Sequence, residues 1–245
     1  MQYAVTCTLP LLVALSAHAQ LQPFTLTQTE GPTSGPTRTI LTTQAANGSR
    51  AAYQESPGSE LTALSPRTVT LPGEGIRALI TDELKLISTY YLTPSEITAL
   101  KTPKSSPVCD PGSGAKLAAQ DHFFGVLALR YESLLRGGAE KHSHWYAPSL
   151  NCFTLQYEVH TLESGGWKPI FARVPARLDL IAASTSHFLV LSSYREVPPS
   201  EHQKAAIALK RGTPFGSEPN DAALENTLRR LDRHYHESQQ FKPHQ

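Results

Sequence analysis

Cys152–Thr161 alternates strictly, with Phe153, Leu155, Tyr157 and Val159 on one face, and Ser164-Gly165-Gly166 then turns the chain into Trp167–Val174. A period of two, a glycine turn and a second apolar run ask for an antiparallel hairpin with one buried face. The same grammar recurs upstream. Phe24–Thr27 alternates, and Thr37–Thr43 is β-branched after a Gly/Pro turn. Asn47-Gly48 separates that run from Arg50–Gln54, a strong local hairpin signal. Arg67–Leu71 and Ile76–Ile80 flank a Pro72–Gly75 turn, and Leu84–Tyr91 reads as a further strand. With 19 prolines and 15 glycines spread along 245 residues, long helices have little room. The fold class is α+β and mainly β.

Helices are expected in few places. Pro94–Ile97 begins a short helical turn. Pro198-Pro199-Ser200-Glu201 looks like a helix start with Ser200 as N-cap, and Asn220-Asp221 caps a second helix in which Leu224, Leu228 and Leu231 share a face. The last ten residues are expected to fray. Residues 115–136 stay open between helix and strand. Leu117, Phe124, Leu127, Tyr131 and Leu134 fit a helical stripe, whereas Leu127, Leu129 and Tyr131 alternate with Arg130 and Glu132. Gly137-Gly138 favours a hairpin for the second half.

The N-terminus sets the compartment. Leu11–Leu15 is a short apolar run followed by Ala17-His18-Ala19, a small-x-small cleavage site. Residues 1–19 are therefore expected to be a signal peptide cleaved after Ala19, with export to the periplasm or the extracellular space. The competing reading is an apolar N-terminal strand, since no Lys or Arg precedes the run. The division expected is 1–19 signal peptide, 20–198 antiparallel β domain and 199–245 helical C-terminal segment. The run is too short to span a bilayer, and no transmembrane segment is expected in the mature chain. Cys7 leaves with the leader, so Cys109 and Cys152 are expected to pair as a disulfide in an oxidising compartment.

Chemistry is sparse. Net charge is +1, from 22 basic and 21 acidic residues, which argues against a nucleic-acid partner. His142-Ser143-His144 on a strand puts both rings on one face, a spacing compatible with zinc or copper, with His160 or His122 as a third ligand. The plain alternative is a polar strand face. His234-x-His236 is a separate pair. Gly112-x-Gly114-Ala115-Lys116 lacks phosphate-loop spacing, and Asp121-His122 has no Gly-x-Ser-x-Gly elbow to serve. No catalytic residue and no cofactor are expected.

Trp145–Leu155 resembles the aromatic strand, turn and returning strand of exported bacterial proteins related to the outer-membrane lipoprotein carrier half-barrel, many of them uncharacterised acidobacterial-type proteins. Glu158–Leu180 resembles the glycine-turned hairpin next in order, and Phe188–Leu191 with Tyr194–Pro198 resembles a segment near the end of such domains, although Leu191-Ser192 stand where a proline is expected. The resemblance covers about half the chain. It implies a curved antiparallel, half-barrel-like sheet packed with a few helices and an apolar cavity. On that reading the chain is an exported non-enzymatic protein that binds an apolar, lipid-like ligand at the cell envelope. The alternatives are an envelope interaction or scaffold protein using the C-terminal helix or an open sheet edge, and a metal-binding or hydrolytic enzyme.

Overall fold

The computed structural model describes residues 20–35, 37–55, 67–104, 108–112, 114–181, 184–210 and 221–243. The expected leader, the connector 56–66, Ser113 and Asn220 lie outside them. The described strands are β1 (Phe24–Pro32), β2 (Arg38–Gln44), β3 (Arg50–Glu55), β4 (Arg67–Leu71), β5 (Ile76–Thr81) and β6 (Leu86–Tyr91), then β7 (Lys116–Phe123), β8 (Val126–Leu135), β9 (Glu140–Ala147), β10 (Phe153–Glu163), β11 (Gly166–Asp179) and β12 (Arg195–Glu196). Helix α1 is Pro94–Lys101, α2 is Pro199–Lys210 and α3 is Asp221–Gln239. The strands form one curved sheet in the order β12-β6-β5-β4-β3-β2-β1-β11-β10-β9-β8-β7. It is mainly β, as the alternation requires.

Two meanders build it. β1 to β6 run outward from the middle; α1 and the loop after it then carry the chain to the far edge, and β7 to β11 return to pair β11 with β1. All pairings are antiparallel except β12, which lies parallel to β6 and makes the sheet mixed.

Turn chemistry explains the joints. At Asn47-Gly48, Gly48 has φ +85°, and a Cβ there would stand 2.4 Å from the Leu100 carbonyl oxygen. Only glycine meets both demands. Residues 115–136 are two strands, β7 and β8, so the helical stripe is not used. They are joined by Phe124 and Gly125 at φ 52° and 80°, a pair of left-handed residues that matches the twist of a two-residue hairpin.

Three β-bulges re-aim β10 and β11. Ala176 of β11 has no partner between Thr27↔Arg177 and Gln28↔Pro175, Ile170 of β11 is extra opposite Val159/His160, and Leu155 of β10 is extra opposite Tyr146/Trp145. Beyond the Leu155 bulge the starts of β10 and β8 and the end of β9 pack on β1. Phe24, Leu26, Val126, Trp145, Ala147 and Leu155 form a core there, with Phe153 against Phe24. The bulge exposes backbone to the interior, and buried Gln28 meets it by donating to the Leu155 carbonyl at 2.8 Å.

A second core of Val69, Ala78, Ile80 and Ile87 is covered by Phe188, Val190 and Tyr194. Polar ties hold that cover down: Arg67 donates to the Leu189 carbonyl at 3.0 Å, and Tyr194 donates to Asp82 at 2.8 Å. The C-terminal helices dock on the β6 edge. His202 of α2 sits 1% exposed between Thr81 and Ser88, Tyr235 of α3 meets Tyr90 edge-on at 5.7 Å, and Gln239 donates to the Thr89 carbonyl at 3.0 Å. Helix α3 is continuous to Gln239, and Ser238 is buried, so the expected fraying does not reach residues 236–239. The reason is docking: side chains at the helix end have partners on the sheet. Ser200 also differs from its expected capping role. It is inside α2, which begins at Pro199, and its backbone N–H donates to Asp232 of α3 at 2.9 Å.

Candidate functional site

The β7–β11 meander carries the residues singled out in the sequence. Cys109 and Cys152 stand at disulfide distance, with Cα atoms 5.5 Å apart. They join the loop before β7 to the β9–β10 turn, where Asn151 and Cys152 adopt φ 59° and 58°. Cys109, Leu129 and Tyr131 form a small third core, with Tyr146 and Cys152 packed beside them.

His142 and His144 share one face of β9, as a two-residue spacing on a strand requires. Tyr157 of β10 lies against both rings, 5.8 Å from His142 and 4.5 Å from His144 between centroids. Its hydroxyl is 2.8 Å from His142 Nδ1, while His142 Nε2 is 3.4 Å from Glu140. Glu140 also binds Arg136 at 2.7 Å. The result is a chain running from exposed Arg136 through half-buried Glu140 and His142 to Tyr157. Burial first, then the Glu140 charge, holds the Tyr157 hydroxyl above its usual range; burial and the neighbouring His142 hold His144 below its own.

The other histidines fall elsewhere. His160 registers with Lys141 while Val159 registers with His142, so His160 projects from the opposite face. His122 is exposed on β7, and Asp121 beside it accepts the His122 backbone N–H at 2.7 Å. His234 and His236 lie two apart on α3, a spacing that does not share a face. Among the described residues no group of three or more His, Cys, Asp and Glu is placed to hold a metal ion.

Strand register shows a feature that sequence reasoning missed. Arg38, Glu30, Arg173, Tyr157, His144 and Tyr131 lie opposite one another across β2, β1, β11, β10, β9 and β8, forming one transverse row. Glu30 is 1% exposed and bound by both arginines, Arg38 Nε donating at 2.7 Å. Only strand order reveals this row, because Glu30 and Arg173, adjacent in space, are 143 residues apart in the chain.

This meander exposes large apolar side chains on both of its faces, Leu117 and Leu127 on the Tyr131/His144 face and Leu134, Leu162 and Trp167 on the Lys141 face. Leu117, Leu127, Leu134, Leu162, Trp167 and Ile170 are all exposed, whereas among the described residues no large apolar side chain of β1–β6 is. β7 is a free edge whose eight residues are mostly exposed. Near that edge a hollow of about 510 Å³ is lined by Lys116, Glu132, Leu134, Lys141 and Trp167, with the Lys141 ammonium 5.4 Å from the Trp167 ring centre.

No family model matches this sequence, and no curated protein does. Among solved structures it is similar to a DUF1329 family protein from Desulfovibrio piger. Identity is 10% and the TM-score 0.20, over 69% of this chain and 90% of that one. No described helix is long and apolar enough to cross a membrane.

Proposed function

We propose that this chain is an exported, non-catalytic binding protein of the cell envelope that docks a protein partner on its β7–β11 half. One observation carries the reading: among the described strands the exposed large apolar side chains lie only in that meander, where Leu134, Leu162 and Trp167 share a face, and its outermost strand β7 has an open edge. Exposed apolar side chains gathered on one face mark interaction sites, and an open edge offers backbone donors and acceptors to an added strand. The C-terminal helix is a weaker candidate for the partner surface, since α3 already docks on β6. The lipid-like ligand implied by the carrier resemblance has less support, because Phe24, Leu26, Trp145 and Leu155 fill the space between β1 and the folded-over strands. Export supplies the oxidising setting in which Cys109 and Cys152 bond.

A photo-crosslinking amino acid placed in vivo at Leu134, Leu162 or Trp167 tests this. The expected result is one common adduct from these positions and none from exposed Glu74 in the β4–β5 turn. Equal labelling at all four positions, or none anywhere, refutes the reading. N-terminal sequencing of the mature protein should begin at Gln20.

A further inference from the structure

Most arginines of the described strands hold a carboxylate. Arg67 holds Asp82, Arg173 and Arg38 hold Glu30, and even Arg130, which lies over Trp145, keeps Glu132 at 3.5 Å. Arg50 breaks the pattern. It sits on β3 with its guanidinium 4.9 Å from the Phe153 ring centre, and its one hydrogen-bonded side-chain partner is the neutral Gln44 oxygen at 2.5 Å. Its Nε is buried with no partner, and among the described residues no carboxylate lies within ion-pair distance.

A second cation lies close by. Arg50 registers with Thr70 on β4, and Thr70 with Arg77 on β5, so both arginines leave the same face. Two strand spacings put their backbones roughly 9–10 Å apart. Their mutual repulsion adds to burial in holding Arg50 down to about 10. Arg77 also has no ion pair among the described residues. Glu96 of α1 feels its charge, and that carboxylate is committed to the helix start, accepting the Thr93 backbone N–H at 2.8 Å; Asp232 of α3 lies on the far side of Tyr90. Hydroxyl groups complete the row: Thr70 between the arginines and Tyr90 next to Arg77 in register.

We propose that Arg50 and Arg77 form a binding site for an oxyanion, the carboxylate or phosphate group of a small ligand. An uncompensated, largely buried guanidinium is costly, and a planar fork with an unused Nε–H suits bidentate oxyanion recognition. The site belongs to the β1–β6 meander and stands apart from the partner surface proposed for β7–β11.

The test uses the purified mature chain at fixed ionic strength, with sodium phosphate or sodium octanoate replacing chloride, and reads thermal denaturation and calorimetric titration. A saturable rise in Tm with phosphate, octanoate or both is expected, and the stronger probe identifies which oxyanion class is held. Arg50→Gln and Arg77→Gln should each weaken the apparent affinity at least tenfold, with far-UV circular dichroism reporting on folding. Arg77→Gln decides if Arg50→Gln does not fold. Identical melting in chloride, phosphate and octanoate overturns the proposal. A rise that survives in Arg77→Gln overturns it equally, because the anion then binds elsewhere.

Discussion

His202 offers the sharpest test of how the C-terminal helices are held. Its ring is buried between two strands, with Nε2 2.6 Å from the Thr81 hydroxyl and Nδ1 3.2 Å from the Ser88 hydroxyl. Ser88 donates its own proton to the Val197 carbonyl at 2.7 Å, so it accepts from Nδ1–H, which leaves Thr81 to donate to Nε2. The neutral ring is thus fully satisfied, and burial lowers its pKa below 6.5. Below 6.5 the unfolded chain takes up a proton that the folded chain refuses. This part of the stability is therefore complete above the unfolded pKa and is lost as pH falls towards the folded one. The slope is at most about 1.4 kcal/mol per pH unit across that window. His202→Ala removes the ring and both hydrogen bonds, and should cost about 2–4 kcal/mol at pH 7.5. Urea unfolding of both proteins at half-unit steps from pH 5 to 8 measures the difference. It should be constant above pH 7 and shrink below pH 6.5. A difference that stays flat across the whole range refutes the buried neutral histidine.

Three further perturbations probe other joints. Reducing the Cys109–Cys152 pair, or replacing both by serine, should cost about 4 kcal/mol for a loop of this span, seen as a lower urea midpoint. Gly48→Ala should lose about 1–3 kcal/mol in the same assay, since φ +85° and the Leu100 carbonyl both oppose a Cβ. Glu30→Gln should lose about 1–2 kcal/mol, below the usual penalty for a broken buried pair, because Arg38 and Arg173 are 46% and 37% exposed and regain water; chemical denaturation at low and high salt checks it.

Local pattern makes most of the strands legible. Where alternation runs between strong turn signals, as in Phe24–Glu55, sequence order and structure agree, because a strand with one buried face leaves its period in the residues. In Cys152–Leu180 the hairpin is where the pattern puts it, but Phe153, Leu155, Tyr157 and Val159 do not share one face. The Leu155 bulge sends the first two into the core and the last two to the His142/His144 side. Residues 115–136 resist for a definite reason. Their turn is Phe124-Gly125, and a bulky aromatic at φ 52° is not a residue that announces a hairpin. The edge strand β7 also lacks a buried face, its pattern being exposed almost throughout, so it carries no period to find. The His142/His144 face is legible from spacing alone. Its partner Tyr157 stands in the sequence only as one of four alternating residues, and nothing local links it to Glu140, which lies on the preceding strand beyond the β9–β10 turn.

The two meanders carry different loads, and the bulges are what make that division workable. In the β1–β6 half both faces carry cover: Phe188 to Tyr194 lie over Val69, Ala78 and Ile80, α2 and α3 lie over Ser88 and Tyr90 on the opposite face, and the remaining oddity is a pair of unneutralised arginines rather than exposed apolar area. In the β7–β11 half, three unpaired residues flip the facing of β10 and β11 part-way along. A strand that keeps its parity must send the same alternate residues to one face for its whole length. By breaking parity at Leu155, β10 sends Phe153 and Leu155 into the Phe24/Trp145 core and yet turns Tyr157 to His142 and His144 on the other side. Gln28 is the polar residue this demands, since a bulge folded inward leaves a carbonyl that only a buried donor can satisfy. One half of the sheet is thereby free to present both a polar aromatic row and an apolar rim without dismantling the core that the two halves share.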